Sequence, residues 1–81
     1  MYIFFWGNGC SQCNVMRPTV EGLLGEKVTA LEVWDDKDNE KIYKDLVGEI
    51  CPGVPSLYSE ETGEVLCGFN SREIIKEFLE K

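Results

Sequence analysis

Tyr2-Ile3-Phe4-Phe5-Trp6-Gly7-Asn8-Gly9-Cys10-Ser11-Gln12-Cys13 is the stretch that decides how the chain folds. Tyr2 to Trp6 is a continuous apolar run, the pattern of a strand buried on both faces. Two glycines then flank Asn8 and leave the backbone open just before a Cys-x-x-Cys pair. From Ser11 the positions Val15, Met16, Thr19, Val20, Leu23 and Leu24 recur at helical spacing, and Gly25 supplies a stop. The two cysteines therefore open a helix, on one face and within reach of a shared disulfide. A helix N-terminus favours negative charge, which assists ionisation of a thiol placed there.

Outward from this segment, the remaining pattern completes an α/β chain. Pro18 falls inside the first helix, where it removes a donor and bends the axis. Val28 to Trp34 is rich in β-branched and large apolar residues and predicts a second strand. The acidic stretch Asp35 to Glu40 lacks the glycine and distal glutamate of a calcium loop and suits a solvated helix start. Ile42, Tyr43, Leu46 and Val47 follow at helical spacing, ended by Gly48. Pro52, Gly53 and Pro55 mark a loop. Ser56 to Ser59 and Glu64 to Cys67 then read as a hairpin around the turn Glu60 to Gly63. Asn70 with Glu73 resembles a capping box for a last helix that buries Ile74, Ile75, Phe78 and Leu79.

The order is β-α-β-α-β-β-α, predicting a four-stranded mixed sheet covered by three helices. Strands one and two, joined through a helix, should be parallel.

Composition narrows the function. The 81 residues fit one domain spanning 1–81, and a hydrophobic share of 43% is ordinary for a globular chain. A net charge of −7 argues against nucleic acid or anionic lipid as partners. No apolar stretch approaches the roughly 18 residues that would span a bilayer. The apolar run leads straight from Tyr2 into the CxxC with no signal peptide read, so the expected location is cytoplasmic. The chain has no histidine, which excludes Cys/His proteases, Ser/His hydrolases and His-containing zinc sites. In a reducing compartment, its four cysteines are reactive, metal-bound or buried rather than a secreted scaffold.

Three separated features resemble the thioredoxin and glutaredoxin superfamily, and the resemblance covers essentially the whole chain. Trp6 stands four residues before Cys10 and Pro18 five after Cys13. Val54-Pro55-Ser56 looks like the cis-proline segment, and Gly68-Phe69 precedes the last helix. The Cys-Ser-Gln-Cys-Asn string and Cys67-Gly68-Phe69 look like the glutaredoxin-like redoxins that donate electrons to ribonucleotide reductase. The resemblance implies a minimal thioredoxin-like fold, a cis Val54–Pro55 bond, a disulfide-bearing protein substrate, and thioredoxin reductase or a similar reductant. Two departures stand out. Phe4 occupies the position where thioredoxins keep a buried acid. Ser11-Gln12, Gly7-Asn8-Gly9 and Cys67 differ from the residues with which glutaredoxins hold glutathione.

The expected chemistry is thiol–disulfide exchange, with Cys10 as nucleophile and Cys13 as resolving thiol. The residues expected around a substrate are Trp6, Gly9, Ser11, Gln12, Val54, Pro55 and Gly68. Trp6 also reads as the last core residue of its strand, and Pro55 as a proline that merely starts an edge strand. Cys51 and Cys67 read either as a second redox or regulatory pair or as two small, partly buried hydrophobes, which the residue type favours. No cofactor or metal is expected on the leading reading. The alternative function is a metal- or iron–sulfur-cluster-binding module on the same fold, its ligands being cysteine thiolates.

Overall fold

The computed structural model describes residues 1–80 and shows the expected element order. Strand β1 (Tyr2–Trp6) leads to helix α1 (Ser11–Leu24), a 3-10 turn (Gly25–Lys27), strand β2 (Val28–Glu32) and helix α2 (Lys37–Leu46). The hairpin β3 (Ser56–Ser59) and β4 (Val65–Cys67) precedes helix α3 (Arg72–Leu79). The sheet order is β2-β1-β3-β4. β1 runs parallel to β2, from Tyr2 opposite Val28 to Trp6 opposite Glu32. β3 runs antiparallel to both its neighbours. The parallel pair requires a long crossover, which α1 provides. No helix among the described residues is long and apolar enough to cross a membrane.

Alternation along β1 divides the core. Successive strand residues point to opposite faces, so Phe4 and Phe5, both fully buried, head opposite layers. Phe4 packs with Met16, Val20, Leu57, Ile75 and Phe78, under α1 and α3. Phe5 packs with Val33, Tyr43, Val47 and Cys51, under α2. Tyr43 meets Phe5 edge-on, with ring centroids 5.3 Å apart, and its hydroxyl donates to the Cys51 carbonyl at 2.7 Å. Burial pushes the Tyr43 phenol above its ordinary pKa, which keeps that donor protonated.

Element ends differ from the sequence expectation in three places. β2 stops at Glu32 rather than Trp34, because the Glu32 carboxylate accepts the N–H groups of Trp34, Asp35 and Asp36 and turns the chain out of the sheet. β4 begins at Val65 rather than Glu64, whose carbonyl closes the hairpin on the Ser59 N–H at 2.9 Å. The cap of α3 is Ser71, whose Oγ accepts from the Ile74 N–H; Asn70 instead donates to the carbonyls of Cys67 and Gly68. The start of α2 is as expected, with Asp36 Oδ1 accepting from the N–H groups of Asp38 and Asn39.

Tyr43→Phe keeps the ring packing and removes only the hydroxyl donor, leaving the Cys51 carbonyl without it. Urea unfolding should show a loss of about 1–2 kcal/mol, and thermal unfolding a fall of several degrees.

Candidate functional site

The chain leaves the sheet at Trp6 and reaches α1 through Gly7-Asn8-Gly9. The Cys10 N–H closes this turn on the Gly7 carbonyl at 3.0 Å. Gly9 has φ of +92°, a conformation that a side chain disfavours, so the turn needs glycine there. Gly7 is needed for space, since a Cβ on it would collide with the Trp34 indole.

Cys10 is the N-cap of α1, and its Sγ accepts from the Cys13 N–H at 3.2 Å. Cys10 and Cys13 are joined as a disulfide with their Cα atoms 5.3 Å apart. The glycines suggested an open first cysteine; in the fold Cys10 keeps only 9% of its surface exposed, against 1% for Cys13. Cys10 is thus the more accessible sulfur. Pro18 lies inside α1 as expected, on its exposed side.

The other expected site residues gather at the same end of the sheet. The β1–β3 register places Phe5 opposite Ser56, so the next pair along would set Trp6 across from Pro55. The Val54–Pro55 bond is cis, as the resemblance implied. Gly68, at φ +76°, donates its N–H to the Pro55 carbonyl at 2.8 Å, which fastens the end of β4 to the proline. Ser11 and Gln12 are exposed and share a shallow pocket with Val15 and Phe69. Trp6 is half-buried against the first core layer, with the Arg17 guanidinium 4.7 Å above its ring. Phe4 is wholly enclosed, so the position of the absent acid is core.

Sequence reasoning missed three features and left a fourth open between two readings. Glu32 accepts four backbone hydrogen bonds, from Asn8 at 2.8 Å, Trp34 at 2.9 Å, Asp35 at 2.8 Å and Asp36 at 3.1 Å. Asn8 Nδ2 adds a bond to Asp35 Oδ2 at 3.0 Å. Together they stitch the loop before Cys10 to the turn after β2. Desolvation pushes the Glu32 carboxyl up, but the four donors outweigh it and its pKa lies below the ordinary value. Trp34, with 56% of its surface exposed, lies against Gly7 rather than in a strand. Phe69 and Val15 present apolar surface beside Ser11. The fourth is a second pairing: Cys51 and Cys67 are joined, with Cα atoms 5.5 Å apart, so they are not two unlinked hydrophobes. For the first three, the sequence offered only an acid inside the expected second strand and apolar residues that read as strand, helix or core. Among the described residues, no three His, Cys, Asp or Glu side chains gather where they could hold a metal ion.

Because folding lowers the pKa of Glu32, its ion contributes stability that is complete above the unfolded pKa and is lost as pH falls through the folded one. Glu32→Gln should therefore be less stable than the parent near neutrality. The gap should shrink in urea titrations taken from about pH 7 to about pH 3, across the carboxylate range.

No protein-family model and no curated protein matches the chain. Among solved structures, a point mutant of thioredoxin from Halobacterium salinarum NRC-1 is similar, with a TM-score of 0.63 and 22% identity. The match covers 98% of this chain and 70% of that one. With its mixed sheet, its helix-opening cysteine pair and its cis proline at the same sheet end, this chain has a thioredoxin-like fold.

Proposed function

We propose that the chain reduces protein disulfides through Cys10 and Cys13. The observation that carries this reading is the pair itself: two cysteines at bonding distance at a helix start, the first more exposed than the second. The Cys10 thiolate attacks one sulfur of a substrate disulfide and the other leaves as a thiolate. Cys13 loses its proton, attacks Cys10 Sγ and releases the second substrate thiol, leaving the Cys10–Cys13 disulfide. Two electrons pass to the substrate, and a dithiol reductant such as thioredoxin reductase restores the starting state. A reducing compartment such as the cytoplasm suits that direction.

The N-cap position supports ionisation of Cys10. The Cys13 N–H that now donates to Cys10 Sγ would equally donate to its thiolate. With Phe4 in place of a buried acid, the proton of Cys13 passes to water or to the departing substrate thiolate. Gly9, Ser11 and Gln12 form the rim where a partner approaches, and Val15 and Phe69 give it apolar contact. The backbone of Val54, just before the cis bond to Pro55, is the place for strand-like pairing with a substrate segment. Gly68 holds Pro55 in place through its N–H, and Trp6 backs the site from the core. The acidic surface suits a substrate or reductant with a basic rim.

Cys10→Ser should reduce turnover of a test disulfide such as insulin to the uncatalysed background. Cys13→Ser should accumulate a covalent adduct that dithiothreitol releases, seen as a mass increase of one substrate chain. Full turnover by the Cys10 variant would refute the reading. Phe69→Glu places a charge on the apolar rim and should raise KM about tenfold, the scale of one lost apolar contact, with kcat within about twofold.

A further inference from the structure

Cys51 and Cys67 form a second pair with an uneven exposure of its own. Cys51 follows α2, with its N–H on the Val47 carbonyl at 2.8 Å and its carbonyl held by Tyr43. Its side chain lies in the second core layer with only 1% of its surface exposed. Cys67 ends β4, the edge strand, and is exposed. Thiol–disulfide exchange needs one sulfur open to an incoming thiolate, and here that sulfur is Cys67. A shallow depression of about 310 Å³, lined by Pro52, Gly53, Val54, Cys67 and Gly68, gives room for the approach.

The neighbouring contacts give the bond a role. Between Cys51 and β3 lies only Pro52-Gly53-Val54-Pro55, the segment that carries the cis proline. This segment is tied to β4 twice, covalently through Cys51–Cys67 and by the Gly68 N–H on the Pro55 carbonyl. Ser56, opposite Cys67 in the β3–β4 register, has a buried Oγ with no hydrogen-bond partner among the described residues. A disulfide cannot donate to it, whereas a thiol carries an S–H.

We propose that Cys51–Cys67 is a second thiol–disulfide exchange site, entered through Cys67 by low-molecular-weight thiols, whose oxidised form clamps the Pro55 segment to β4. In the exchange a thiolate RS⁻ attacks Cys67 Sγ, and Cys51 leaves as a thiolate that takes a proton from water. A second RS⁻ attacks the RS sulfur of the mixed disulfide, releasing RSSR and the Cys67 thiolate, which is protonated in turn. Two electrons pass from two RSH to the protein. The exchange stands apart from Cys10 and Cys13; only its consequence for substrate binding rests on the function proposed above.

The test uses the Cys10→Ser/Cys13→Ser variant, so its outcome does not depend on whether Cys10 turns over substrate. The folded protein is equilibrated in glutathione buffers of graded ratio, quenched in acid, alkylated and weighed. The expected result is a reversible change between one disulfide and two thiols, with the amide of Gly68 exchanging at least tenfold faster in the reduced form. Adding Cys51→Ala should trap one glutathione on Cys67. Adding Cys67→Ser instead should leave Cys51 at least tenfold slower to take up glutathione while the protein is folded. Two free thiols in every buffer, or a disulfide that opens only on denaturation, would overturn the exchange site. Equal glutathione uptake at Cys51 would overturn entry through Cys67, and unchanged Gly68 exchange would overturn the clamp.

Discussion

Two adjacent phenylalanines on the second of four ordered strands impose the architecture. Phe4 and Phe5 point to opposite faces of β1, and neither can remain in water at a reasonable cost, since burying such a side chain is worth roughly 1.5–3 kcal/mol. Both faces must be covered. α1 and α3 close over Phe4 and α2 over Phe5, so β1 is fixed at its middle and its C-terminal end is held in a defined place. A cysteine pair that opens the next helix takes its position from that end. The geometry of the two sulfurs is thus a result of sheet packing, relayed through three residues of loop.

A carboxylate fixes those three residues. Glu32 ends the strand beside β1 and gathers N–H groups from both loops at that end of the sheet. Backbone donors need acceptors, from the protein or from water, and at strand ends the ladder no longer provides them. One side chain meeting four donors removes that need and joins two turns that have no ladder between them. The loop before Cys10 therefore has its place set from two directions, by Phe5 below and by Glu32 beside.

The fold was legible because its signals are local and repeated. The apolar run at Tyr2 to Trp6, the helical spacing from Val15 to Leu24 and the turn at Glu60 to Gly63 each name an element without knowledge of the others. Cys10 and Cys13 were legible for the same reason, three residues apart on one helical face. What could not be read depends on distant partners. Glu32 looks like an ordinary strand residue until Asn8, 24 positions away, is seen to donate to it. Trp34 looks like core until the chain turns at Glu32 and leaves it on the surface. Cys51 and Cys67, separated by 16 positions, could be read as a pair or as two lone hydrophobes, and only the fold that brings them together decides between the two. Asn70 and Ser71 are adjacent, and which of them caps α3 is settled by the competing demand of the Cys67 and Gly68 carbonyls.

The two tryptophans lie near the first glycine loop in unlike surroundings. Trp6 is half-buried beneath a guanidinium and packed against a core layer, while the indole of Trp34 lies over Gly7 with most of its surface in solvent. Their light emission should separate accordingly, a bluer component from the half-buried ring and a redder one open to aqueous quenchers. The outer ring touches the turn that delivers Cys10, so its colour and quenching follow that turn directly. An indole set against the turn before Cys10 thus gives that loop a built-in probe of its surroundings, with no added label.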